Sequence, residues 1–209
     1  MPAERIDDME KLKRTVEEKG SVLSGEVLKT DRFLNHAIDP ELMDEIGAEF
    51  AKGFQDYGIT RVLTIESGGI APALMTALHL NVPMVFCKKT RPVTMCSPLS
   101  ACVHSFTKNA DYDLCMESGL IEPGDRVLFI DDFLANGDAF AGIRSLTEQA
   151  GAELAGAGFC IEKSWQRGRK NVESTGVPCL VLASIQSMSE KGILWNPDES
   201  VRTFTEKEN

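Results

Sequence analysis

The 209 residues are 43% hydrophobic and 26% charged, the size and balance of one globular domain with a substantial core. A formal charge of −10 argues against nucleic acid as a partner, since a phosphate backbone rewards a basic face, and it leaves any polyanionic substrate to local cations, helix N-termini or a metal ion. Six cysteines without a Cys-x-x-Cys pair and three scattered histidines lack zinc spacing, and no run approaches the roughly 20 apolar residues of a membrane span.

The start of the chain carries Glu4, Asp7 and Asp8 instead of a basic apolar leader, so a cytoplasmic protein with no membrane association is expected, its cysteines free and Cys87, Cys160 and Cys179 serving as small core residues. A charged helical pattern covers residues 7–18, with Met9, Leu12 and Val16 on one side and Gly20 as its stop. Residues 21–40 begin strand-like, turn at Ser24-Gly25, and become irregular and unusually apolar for a loop. On their own Leu28, Phe33 and Leu34 read as a lid over the core. Asp39-Pro40 caps and opens a long helix whose core stripe is Leu42, Ile46, Phe50 and Phe54, ending at Tyr57-Gly58.

A strand over residues 61–66 runs into Ser67-Gly68-Gly69 before a helix containing Leu74 and Leu78. Paired glycines there let backbone approach a ligand, and a tight βα turn explains them equally well. Residues 82–87 read as a buried strand delivering Lys88, Lys89 and Arg91 at its carboxyl end, where ligands of open α/β sheets collect. Over residues 90–109 the pattern weakens to a mobile loop flanked by short strands, one of them near 99–106, with His104 expected to pack. Long loops of this kind are often lids. A strand over 112–117 follows.

Val127-Leu128-Phe129-Ile130 reads as a short buried strand with Asp131 and Asp132 at its end. The small-residue turn Ala135-Asn136-Gly137-Asp138-Ala139 then opens a helix with Phe140, Ile143 and Leu146 on one face. The unpaired N–H groups and positive dipole of a helix start make an anion site, and Gly137 lets the backbone close on it. A phosphate fits there, with hydroxyls or a metal at the acids. Either half alone is ordinary; the combination is specific. A strand over 154–161 presents Glu162-Lys163-Ser164-Trp165, followed by a short polar helix to Gly176, a last strand over 177–185, and an acidic tail over 198–208. Strands near 61, 82, 127, 155 and 178 separated by helical patterns imply an α/β fold with a doubly wound, mostly parallel sheet.

The central motif resembles the phosphoribosyl diphosphate (PRPP) binding motif of the type I phosphoribosyltransferases. The form Asp131-Asp132-Phe133-Leu134-Ala135-Asn136-Gly137 is similar to the xanthine branch of that family, a likeness extending over about residues 23–188. Most members carry hydroxyl residues where this chain has Ala135 and Ala139, so backbone donors must do more. The resemblance implies one domain over 1–209, with a base-binding hood of about residues 1–60 plus a C-terminal part on a core of about 61–188. It implies that Asp131 and Asp132 are catalytic and hold the ribose hydroxyls, that Ala135, Asn136, Gly137, Asp138 and Ala139 hold the 5-phosphate, and that Ser67, Gly68, Gly69, Lys88 and Lys89 face the diphosphate under a closing loop. Leu28 and Asn35 from the hood, with Lys163, would meet xanthine; a lysine such as Lys163 otherwise pairs at the surface with Glu162 or Glu173. The activity implied is transfer of 5-phosphoribosyl from PRPP to xanthine in purine salvage, by a homodimer, with Mg2+ bound mainly through the substrate and no dedicated protein metal site. Transfer to guanine, hypoxanthine or adenine is the near alternative. A non-catalytic PRPP-sensing regulator is the distant one, but such proteins carry a winged-helix module ahead of the domain, and the 60 residues before the first central strand match the hood instead.

Overall fold

The computed structural model describes residues 9–23, 27–105 and 110–197. The turn expected at Ser24-Gly25, the first residues of the leading helical pattern and the acidic tail lie outside them. Helix α1 (Glu10–Lys19) ends where the Gly20 N–H donates to the Val16 carbonyl at 2.9 Å, and the hairpin β1–β2 (Ser21–Leu23, Val27–Lys29) follows. Helix α2 (Pro40–Phe54) starts as its sequence dictates, because Asp39 Oδ1 accepts the Leu42 N–H at 3.3 Å and Pro40 occupies a position that needs no donor. Its stripe of Leu42, Ile46, Phe50 and Phe54 is buried to 1% exposure or less. A 3-10 turn over Gln55–Tyr57 and Gly58, at φ 62°, end it.

The main sheet has the order β10-β9-β8-β7-β3-β4, formed by β3 (Arg61–Ile65), β4 (Met84–Cys87), β7 (Arg126–Leu134), β8 (Glu153–Lys163), β9 (Cys179–Ser189) and β10 (Gly192–Trp195). All neighbours pair in parallel except β10. A central parallel strand is covered on both faces, so it is apolar on both. Along β7, Leu128 and Ile130 join a core with Phe50 of α2 and Ala73 of α3 (Ile70–Leu80), whereas Val127 and Phe129 join a second core with Phe140 and Ile143 of α4 (Asp138–Gln149). Short helix α5 (Gly168–Glu173) contributes Val172 to that second core. Among the described residues no helix is long and apolar enough to cross a membrane.

The chain leaves β3 outward to β4, then returns to lay β7 on the opposite side of β3 and continues outward through β8 and β9. Strands β3 and β7 pair from Arg61 with Val127 to Leu63 with Phe129 and then part. That switch point opens a crevice at the carboxyl ends of both strands, where ligands of open α/β sheets bind.

Three expectations are corrected. Strand β4 is not buried: it is the sheet edge, with Phe86 38% exposed. The loop expected over 90–109 gives way to strand from residue 98: the strands expected near 99–106 and over 112–117 are present as β5 (Pro98–Ser105) and β6 (Ala110–Glu117) and pair antiparallel in a hairpin, since Val103, Leu114 and Met116 bury one face against the second core. Strand β10 has no counterpart in the sequence reading; its Trp195 indole N–H donates to Glu17 at 2.8 Å and ties it to α1.

Candidate active site

Asp131 and Asp132 occupy the last part of β7, in the crevice between β3 and β7. Asp131 is 7% exposed, and its Oδ1 accepts the Asp132 N–H at 3.1 Å, while Asp132 Oδ1 accepts the Phe133 N–H at 2.9 Å. Burial pushes the Asp131 carboxyl well above the usual carboxylate range, and the charge of Asp132 adds to the effect. Burial also raises Asp132, against which the Asp131 hydrogen bond, the Lys89 charge and the Phe133 amide pull back.

The glycines after β3 are explained by these acids. A Cβ on Gly68 would strike the Asp132 carboxylate, and one on Gly69 would strike Thr64 Oγ1 and lie 2.8 Å from Asp131 Oδ1. The Gly68-Gly69 pair therefore makes room for the carboxylates as much as for a ligand. Beneath them the Thr64 hydroxyl is fully buried and has no hydrogen-bond partner among the described residues. The Glu66–Ser67 peptide is cis. Glu66 Oε1 accepts the Lys89 N–H at 2.8 Å, and a polar cavity of about 220 Å³ is lined by Asn35, Glu66, Ser67, Gly68, Lys89, Tyr112 and both aspartates. Although three carboxylates line it, no group of three His, Cys, Asp or Glu side chains among the described residues could hold a metal ion by itself. The donor set suits an ion that brings its own ligands.

Ala135, Asn136, Gly137, Asp138 and Ala139 form the turn into α4 and line an adjoining cavity of about 350 Å³, which meets the smaller one at Tyr112 and Ala139. Gly137 sits at φ 88°, in the left-handed region that glycine enters at least cost. Lys163, at the end of β8, lines the same cavity with its Nζ 5.6 Å from the Phe133 ring centroid, and Gln166 and Val27 complete that wall. Glu162, the neighbour of Lys163, is engaged by Arg169 and Ser184. It is 2% exposed, and Arg169 binds it in bidentate fashion, Nε to Oε1 at 2.7 Å and Nη2 to Oε2 at 2.5 Å, while the Ser184 hydroxyl donates to Oε2 at 2.7 Å.

The hood residues separate. Leu28 turns its side chain into the core at 6% exposure, and its neighbour Val27 faces the larger cavity. Asn35 stands at the acids, held by a turn whose Phe33 and Leu34 are buried and donate their N–H groups to the Thr30 carbonyl. Of the three cations after β4, Lys89 lines the polar cavity beside the acids. Lys88 Nζ lies 4.8 Å over the Phe86 ring, and Arg91 Nη2 donates to the Met95 carbonyl at 3.1 Å. His104 lines the larger cavity and contacts Asp111 across the hairpin at 2.7 Å. Tyr112, Phe133 and Gln166 are wall residues that the sequence reading did not single out; Phe133, directly after two acids on a strand end, carried the one available signal.

No family model matches the chain. It is 48% identical over 192 residues to a xanthine phosphoribosyltransferase of Listeria monocytogenes, covering 91% of this chain and 100% of that one. It is 50% identical over 182 residues to one of Bacillus licheniformis, covering 87% and 94%. The adenine phosphoribosyltransferase of Saccharomyces cerevisiae, solved with D-2,5-dideoxy-2,5-imino-altritol 1,6-bisphosphate and adenine, matches with a TM-score of 0.66 at 22% identity over 83% of this chain and 97% of that one, a likeness of fold.

Proposed function

The chain belongs to the xanthine phosphoribosyltransferases, and from that membership we infer that it transfers the 5-phosphoribosyl group of PRPP to xanthine, giving xanthosine 5'-monophosphate and pyrophosphate in purine salvage. The observation that carries the inference is the pair of joined cavities, one walled by adjacent carboxylates and a lysine, the other by the Ala135–Ala139 turn and Lys163. Together they have places for a diphosphate, a ribose, a 5-phosphate and a base.

In this assignment the loop amides of residues 135–139 take the 5-phosphate, and Asp131 and Asp132 hold the ribose hydroxyls. Ser67, Gly68, Gly69 and Lys89 face the diphosphate, with Lys88 at the rim. Magnesium carried on PRPP would neutralise part of the diphosphate charge between it and the acids. When the bond from the ribose to pyrophosphate breaks, positive charge develops on the sugar and negative charge on the leaving group. Fixed carboxylates at the first and Lys89 with backbone donors at the second favour that separation. The purine nitrogen closes the new bond, so no protein nucleophile is required. The hairpin β5–β6, whose Val103, His104 and Tyr112 line the larger cavity, excludes water that would otherwise capture the sugar.

Phe133 offers its ring face to the base, Lys163 donates to a purine oxygen, and the hood contributes Val27, the backbone at Leu28, and Asn35 near the sugar. We read the chain as one domain, hood and core together, acting as a homodimer in the cytoplasm. Leu74 and Leu78, 53% and 66% exposed one turn apart on α3, suit burial against a second copy, and six free cysteines suit a reducing compartment.

Lys163→Met tests the base assignment. It should lower kcat/KM for xanthine by about 1.5–3 kcal/mol, roughly 10- to 150-fold, with the PRPP Kd unchanged. Loss of PRPP binding with purine preference intact would move Lys163 to the phosphate side and sink the base pocket.

A further inference from the structure

The peptide planes of the phosphate turn are held from behind. The Ala135 carbonyl accepts the Gly168 N–H at 2.9 Å, the Asn136 carbonyl accepts Asn171 Nδ2 at 2.8 Å, and the Gly137 carbonyl accepts the Ala141 N–H at 3.0 Å. In a planar trans peptide the N–H points opposite to the C=O of the same unit. Tying three successive carbonyls to α4 and α5 therefore turns the N–H groups of Asn136, Gly137 and Asp138 the other way, as a concave set of donors for an anion. Two of the three ties come from the six-residue helix α5.

Helix α5 is itself fixed at both sides of the site. Gly168 approaches the turn so closely that a Cβ there would strike the Ala135 carbonyl and lie 2.7 Å from Leu134 Cδ1, and its Cα is 3.4 Å from the place of a Cβ on Gly137. One residue on, Arg169 clamps Glu162, the neighbour of Lys163 on β8. One short helix thus sets the distance between the phosphate turn and the base-side lysine. Because Ala135 and Ala139 offer no hydroxyl to a phosphate, the orientation of the amides decides its affinity.

We infer that Asn171 is a positioning residue for PRPP: it touches no substrate, and by holding the Asn136 carbonyl it keeps the phosphate turn preorganised on α5. The inference rests on the assignment of residues 135–139 to the 5-phosphate. Asn171 is exposed and does not line the larger cavity; it lines a neighbouring surface depression with Arg144 and Ser174 that meets that cavity at Gly137, Asp138 and Phe140, so its replacement leaves the core intact.

The test compares wild type with Asn171→Leu, which has a similar shape and no donor, and with Asn171→Gln, which restores one. Steady-state kinetics and calorimetric titration with PRPP are read beside thermal melting. Asn171→Leu should raise the PRPP KM and Kd about five- to tenfold, the weight of one such hydrogen bond. The xanthine KM and the Tm should stay near wild type, and Asn171→Gln should recover most of the loss. PRPP affinity within twofold of wild type in Asn171→Leu would overturn the inference, as would equal weakening of PRPP and xanthine with a lowered Tm. Should wild type itself neither bind PRPP nor turn over xanthine, the functional assignment falls and this inference with it, an outcome distinguished by the wild-type arm alone.

Discussion

Burial raises the carboxyls of Asp131 and Asp132, which is a stability cost with a sign that can be worked out. A carboxyl whose folded pKa is raised loses stability as pH climbs from the ordinary value of 3.8 through the folded pKa, and above that the full penalty stands. Removing one charge should relieve it. Asp131→Asn is expected to raise Tm at pH 7 by roughly 2–4 °C, the shift of about 1 kcal/mol in a chain of this size, and the gain should vanish below pH ~4. The same variant should lose about a hundredfold in kcat/KM, the scale for a group facing charge in the transition state. A lower Tm with activity retained would mean that Asp131 is a structural anchor. By contrast the buried thiols Cys87 and Cys179 are pushed up to about 12 by burial, with Cys115 adding at Cys87, and act as inert core residues.

Element by element, the sequence was most legible where a local signal and a packing stripe agreed. Helix α2 announced itself through Asp39-Pro40 and its buried stripe, and the turn into α4 through Gly137. The strands of hairpin β5–β6 were legible near 99–106 and 112–117 but their pairing was not, because Thr90, Pro92, Ser97 and Pro98 look like loop chemistry and the hairpin depends on contacts with α4 that no local pattern contains. Helix α5 was legible only as a short polar helix. Its importance lies in Arg169, whose charge is stabilised by Glu162 against burial, giving a net upward shift. Deleting that partner strands a carboxylate that is 2% exposed. Arg169→Met should therefore cost about 3 kcal/mol, the lower end for breaking a buried pair because Arg169 is itself partly exposed, and lower Tm by roughly 6–12 °C. A Tm within 2 °C of wild type, followed by circular dichroism, would show that the pair carries no such weight.

Across the whole molecule, the doubly wound sheet was readable from strands alternating with helices, and the switch point between β3 and β7 accounts for two distant motifs, Glu66–Gly69 and Asp131–Ala139, meeting in one crevice. What the sequence could not provide was which of several equivalent residues face it. Lys88, Lys89 and Arg91 are alike as letters, but of the three Lys89 lines the polar cavity, and Val27 faces the larger cavity where Leu28 was expected because the hairpin register sets the alternation. The net charge of −10 makes that local cation matter, since the overall field repels PRPP. The central claim is the choice of base. Initial rates with saturating PRPP and xanthine, hypoxanthine, guanine and adenine in turn, with the nucleotide product identified, should give xanthosine 5'-monophosphate with a kcat/KM for xanthine at least about tenfold above the others, a margin within reach of one hydrogen-bonded oxygen. Equal or greater efficiency with another purine, or no nucleotide from any, would contradict it.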